Sequence, residues 1–208
     1  MLASGKLAGE KVGGRWLVDP LSLERQIGLA GQRGRLYSPE NAWALLCIAS
    51  GLAADWVHPS VRSRMRRRLR EEGLHGVRLK LTSRGALQHY HVHPGEMKRL
   101  AARSDLLRTG ISTAGDYRLG LVSGHEFDAY VDERKLPKVI REHALQPANG
   151  ASGNIVLRSV QPQAWRHIKD LEVAPLAAVV LDLVEDFDPR TLRVGRQRLK
   201  QLDKEWGS

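Results

Sequence analysis

Six arginines crowd positions 61–70, in the run Arg62-Ser63-Arg64-Met65-Arg66-Arg67-Arg68-Leu69-Arg70, and no acidic residue stands between Asp55 and Glu71. A guanidinium group is permanently charged and donates in a fixed fork, which matches phosphate oxygens and the edge of guanine. On a helix turning about 100° per residue, Val61, Met65 and Leu69 fall within an arc of about 80°. Ser63, Arg66, Arg67 and Arg70 then lie roughly opposite, with Arg62, Arg64 and Arg68 on the flanks. The spacing predicts a helix that buries a narrow apolar stripe and presents arginine elsewhere. A solvated basic face without a partner is the competing account. The density of arginine, with no acid among it, favours contact with nucleic acid.

Two further basic groups extend this expectation. Residues 77–82 and 86–92 alternate apolar and polar around Ser83-Arg84-Gly85, the pattern of a β-hairpin. In such a hairpin Arg78, Lys80 and Arg84 would reach phosphates or the minor groove; cations guarding an exposed strand edge explain them equally well. Lys11 and Arg15 bracket Gly13-Gly14, a dipeptide suited to a tight turn, and invite the same two readings.

Other chemistry finds less support. His89, His91 and His93 recur at every second position of a predicted strand, so all three would face one way and could hold a metal. Histidines on an outer strand face are the plainer account, and no metal or cofactor is expected. Asp182, Glu185, Asp186 and Asp188 gather at a helix end, where surface charge explains them better than acid–base work. Cys47 sits in an apolar stretch away from any base and reads as a small buried hydrophobe. Trp16, Trp43, Trp56, Trp165 and Trp206 are scattered and read as packing anchors. There is neither a phosphate-binding glycine loop nor a nucleophile elbow. The chain is expected not to be an enzyme.

The elements that must position these residues are legible from their punctuation. Ser38-Pro39 opens a helix carrying Trp43, Leu46 and Cys47, Pro59 opens the arginine-rich helix, and Gly73 stops it. Helix, helix and hairpin over residues 36–93 outline a winged helix. Residues 1–33 read as a hairpin followed by a short helix and a linker. Residues 111–208 read as a mixed α+β domain, with strands at 118–122, 127–131 and 154–160. Its helices are expected at 136–144, at the nearly all-apolar 175–185, and after Asp188-Pro189. The fold class expected is therefore α+β.

The charge divides along the same line. The 208 residues carry a net charge of +10, and residues 1–110 hold 19 Lys/Arg against 9 Asp/Glu, a net of +10, while residues 111–208 hold 14 against 14. A basic front and a neutral back follow from this division. The longest apolar runs, 42–54 and 173–184, are shorter than the roughly 18 residues that a membrane-spanning helix needs. One cysteine permits no internal disulfide, which suits the reducing cytoplasm.

Two stretches resemble known families. Leu2-Ala3-Ser4-Gly5-Lys6-Leu7 with Val12-Gly13-Gly14-Arg15-Trp16-Leu17-Val18 resembles the end of a recognition helix and the wing of an excisionase-like, MerR-related helix-turn-helix. The two helices that precede that wing in the family have no counterpart here, so the unit reads either as a truncated remnant or as the end of a module that starts upstream of Met1. The remainder resembles antitoxins of the AbiEi type, from abortive-infection toxin–antitoxin pairs. The residues that carry this are Ser38-Pro39-Glu40-Asn41-Ala42-Trp43-Ala44-Leu45-Leu46, the arginine-rich helix, His93-Pro94-Gly95-Glu96, Arg108-Thr109-Gly110-Ile111-Ser112 and Val173-Ala174-Pro175-Leu176 through Leu183. The resemblance implies a front that binds double-stranded DNA at its own operator and a back that opposes a nucleotidyltransferase-like toxin. A stand-alone transcriptional regulator or an excisionase-like DNA-binding protein, whose second half senses a ligand or forms a homodimer, is the alternative.

Overall fold

The computed structural model describes residues 9–12, 15–18, 35–122, 124, 126–148 and 153–207, and the chain divides into two units at Leu36 and Tyr37. In the first unit β1 (Gly9–Val12) pairs antiparallel with β2 (Arg15–Val18), Lys11 standing opposite Trp16 and Val12 opposite Arg15. The hairpin expected here is present. The helix expected after Pro20 and the linker at 28–34 lie outside the described residues.

The second unit is α+β. In chain order it contains α1 (Pro39–Ala49), α2 (Pro59–Val77), a 3-10 segment (Arg78–Arg84), β3 (Ala86–His91), α3 (Pro94–Ala101), β4 (Leu106–Arg108) and a second 3-10 turn (Gly110–Thr113). There follow β5 (Phe127–Asp132), α4 (Leu136–Glu142), β6 (Gln146–Pro147), β7 (Ile155–Val160), α5 (Pro162–Trp165), α6 (Leu176–Val184) and α7 (Pro189–Gly207). The five strands form one sheet in the order β4-β5-β7-β3-β6. β5 and β7 run parallel, and every other neighbouring pair is antiparallel.

Capping chemistry sets the helix starts. Ser38 Oγ accepts from Asn41 N at 3.3 Å ahead of Pro39, and Asp188 Oδ2 accepts from Thr191 N at 2.7 Å ahead of α7. α1 is more central than its pattern indicates, since all eight residues from Ala42 to Ala49 are buried. Among them Cys47 has its thiol pushed up to about 12 by burial, which leaves it protonated and inert. α6 is buried all round, as its apolar run predicts. α7 lies so close to it that a Cβ on Gly195 would come within 2.8 Å of Leu183. The tryptophans with described side chains do anchor packing: Trp43 and Trp165 are buried, Trp56 stacks on His167 at 4.6 Å, and Trp206 donates to Ala49 O at 3.1 Å.

Three expectations need correction. The 77–92 hairpin does not form, because residues 78–84 coil into a 3-10 segment and β3 pairs with β7 and β6 instead. Alternation alone could not distinguish the two outcomes; packing on α1 and the residues just before it decides it, through Trp43 Nε1 donating to Arg84 O at 2.9 Å and Tyr37 N to Lys80 O at 3.1 Å. The 36–93 stretch is consequently no separate domain from 111–208, for its only strand lies inside the same sheet as β5 and β7. Finally, residues 118–122 are irregular, and the strand expected there is replaced by β4.

Candidate nucleic-acid interface

α2 begins at His58, whose Nδ1 accepts from Ser60 N at 3.3 Å, with Pro59 in the first turn. Met65 and Leu69 are buried and Val61 packs partly buried against the same core, so the predicted apolar stripe faces inward. Ser63, Arg64, Arg66, Arg67 and Arg70 are exposed on the rest of the helix. The helix breaks at Gly73, with φ 66° and ψ 174°, a region essentially restricted to glycine. Asp203 of α7 then caps the restarted turn, its Oδ1 accepting from Leu74 N at 2.6 Å and His75 N at 3.3 Å. A Cβ at Gly73 would meet that carboxylate at 2.7 Å. Gly73→Ala is therefore expected to cost about 1–3 kcal/mol from backbone strain, read as a lower midpoint in urea denaturation.

The arginines of α2 divide by use. Arg62 pairs with Asp55, and Arg68 bonds Glu72 at 2.7 Å and the Tyr37 hydroxyl at 3.0 Å. These two tie the helix to its surroundings. Among the described residues Arg67 has only a long contact to Glu71, at 3.8 Å. Arg64, Arg66 and Arg70 make no ion pair among the described residues, so their charge is directed to solvent.

The other basic candidates fare differently. Arg84 is 3% exposed, and its Nη2 lies 3.0 Å from Asp182 Oδ1 and 2.7 Å from Glu185 Oε2. Lys80 is 8% exposed, with Nζ 3.6 Å from Glu72. Both side chains are buried, because the strand that would have displayed them is a 3-10 segment that turns them inward. Arg78 is partly exposed at the start of that segment. Lys11 and Arg15 lie in the first unit, where their strand positions alone are described. The histidine row also breaks up. His91 ends β3, His93 caps α3 by accepting from Gly95 N at 3.2 Å, and His89 packs near Phe187 with ring centres 5.6 Å apart.

Two features escaped the sequence reading. The first is a buried ionic network centred on Asp182, which is 1% exposed. Its Oδ1 accepts from Arg84 Nη2 and from the Tyr130 hydroxyl at 2.9 Å, and its Oδ2 from Thr109 Oγ1 at 2.6 Å. Arg158, 3% exposed, pairs with Asp128. Arg158 Nε lies 3.1 Å from Asp182 Oδ1 yet is not aligned to donate to it, so this nitrogen is buried without a hydrogen bond among the described residues. Read from sequence, Asp182 looked like surface charge. Its place in an otherwise wholly apolar helix was the available signal, since a lone carboxylate there requires a buried cation.

Beside this network lies a cleft of about 210 Å³, walled by Leu87, Phe127 and Phe187, with Asp128, Arg158 and Asp186 also lining it. Burial raises Asp128 to about 7 against the opposing pull of Arg158, whose guanidinium is shared with Asp182. Burial also raises Glu126 and Asp186. A carboxyl that keeps its proton to higher pH when folded stabilises the fold at low pH. That stability is lost as pH rises from the unfolded carboxylate range, near 4, through about 7. Thermal melts of the wild type minus those of Asp128→Asn are expected to show this decline between pH 5 and 7. A pH-independent difference would mean that Asp128 is ionised throughout.

The second feature is α7, which packs along α2. Arg193, Arg196 and Lys200 are exposed on it at helical spacing. That spacing is readable in the sequence but hidden by the zero net charge of residues 111–208. Among the described residues no group of three His, Cys, Asp or Glu could hold a metal, and no helix is long and apolar enough to cross a membrane. No family model matches the chain, and neither a curated protein nor a solved structure matches it significantly.

Proposed function

We propose that the chain is a DNA-binding antitoxin that represses its own toxin–antitoxin operon and counters a nucleotidyltransferase-like toxin. The observation behind the DNA reading is the solvent face of α2, where Ser63, Arg64, Arg66, Arg67 and Arg70 are exposed and three of the arginines have no ion pair among the described residues. Arg78 adjoins the same helix. The interface does not depend on a wing. The toxin reading rests on the family resemblance of residues 38–183 alone. The test is a gel shift against the duplex upstream of the protein's own reading frame, followed by co-expression with the product of a neighbouring nucleotidyltransferase-like gene. Specific retardation and rescue of growth support the proposal. Retardation without rescue removes the antitoxin role and leaves the DNA-binding one.

A stand-alone regulator is the second reading, and the cleft beside Asp128 favours it. A concave site with apolar walls and a few charged groups is how small ligands are commonly held. In that case a small molecule should both raise the melting temperature and alter retardation of the upstream duplex.

A further inference from the structure

We propose that α7 carries a second phosphate-binding surface and that Arg193, Arg196 and Lys200 seat on the backbone of the same duplex that α2 meets. The proposal rests on the nucleic-acid reading of α2 and enlarges it, for it moves part of the interface into the half of the chain with no net charge.

α7 carries six cations, Arg190, Arg193, Arg196, Arg198, Lys200 and Lys204, against two acids, Asp203 and Glu205. They are sorted by position. Arg190 and Arg198 are used within the fold, donating to Gly120 O and Tyr117 O, each at 3.2 Å. Asp203 is turned toward α2, where it caps Leu74. Arg193, Arg196 and Lys200 remain exposed and make no ion pair or hydrogen bond among the described residues. At helical periodicity these three fall within an arc of about 60°, opposite the buried Thr191, Gly195, Leu199 and Leu202. Lys204 continues the line. Pro189, Leu192 and Gln197 lie beside the three on the same side of the helix.

The spacing suits a duplex. Residues 193 to 200 span about 10 Å of helix, comparable with the axial rise covered by about three phosphates of one strand. Packed helices have axes about 8–10 Å apart, less than the major-groove width of about 12 Å, so adjacent helices can meet phosphates flanking one groove. The separation of structural from unpaired arginine is the same on α2 and α7. A surface serving only solubility has no need of it.

The test is fluorescence anisotropy with a labelled mixed-sequence duplex of three helical turns, about 30 base pairs, titrated over a range of salt. The full-length protein is compared as wild type, as R193Q/R196Q/K200Q and as R66A/R67A. If all three α7 cations meet phosphates, the α7 variant should lower the slope of log affinity against log salt by about 2.7, with its thermal melt unchanged. Should the triple variant melt early, each single glutamine substitution serves instead, with an expected fall of about 0.9. Unchanged affinity and slope in the α7 variant, with R66A/R67A weakened, overturns this proposal and spares the α2 reading. Weakening by the α7 variant alone overturns the α2 reading and, with it, the shared duplex, and leaves α7 as the phosphate-binding surface. Failure of the wild type to bind at low salt overturns both.

Discussion

Asp182→Ala is expected to destabilise the second unit by about 3–5 kcal/mol, the cost of removing one partner from a buried ionic group. The carboxylate accepts from Arg84, Tyr130 and Thr109 and lies 3.1 Å from Arg158, all inside a core that excludes water. Its loss leaves the two guanidinium groups with Glu185 and Asp128 alone, and leaves two hydroxyls without their acceptor. The side chain itself is small, so the lost packing is minor beside the stranded charge. Stabilities of domains are about 5–15 kcal/mol, so the loss is a large share of the total and the variant should unfold at a much lower urea concentration than the wild type. Asp182→Asn keeps the shape and one acceptor oxygen while losing the charge, and should fall between. Denaturation curves for both variants decide the matter; a variant with wild-type stability would show that the network does not depend on its centre.

R66A/R67A should bind duplex DNA more weakly without loss of stability, because both side chains are exposed and surface substitutions usually change stability by less than about 0.5 kcal/mol. If both arginines neutralise phosphates, the salt slope should fall by about 1.8 and every sequence should be affected alike. If one of them bonds a guanine edge, the loss should instead be concentrated on the preferred sequence, at about 1–3 kcal/mol of discrimination. The pattern across operator and unrelated duplexes therefore distinguishes positioning from reading. Binding indistinguishable from wild type on both would dismiss α2 as the contact helix. Arg64 and Arg70 are the natural next substitutions, since they too are exposed and unpaired among the described residues.

The features that follow from the amino-acid order alone are local. Ser38-Pro39 and Asp188-Pro189 start α1 and α7 because a cap is a bond across three residues, and the stripe of Val61, Met65 and Leu69 orients α2 because helical periodicity is fixed. That periodicity also placed Ser63, Arg66, Arg67 and Arg70 on the exposed face. Whatever needed a distant partner was settled by long-range packing. β3 could not be assigned to β7, which lies some seventy residues later, from its own alternation. Without that pairing, residues 78–84 looked like the other arm of a hairpin. Arg84 has the same side chain as the exposed arginines of α2, and only the arrival of Asp182 and Glu185 around it makes burial of its charge tolerable. The summed charge of residues 111–208 concealed both a basic helix and an acidic interior, because a total carries no information about which groups the fold turns inward.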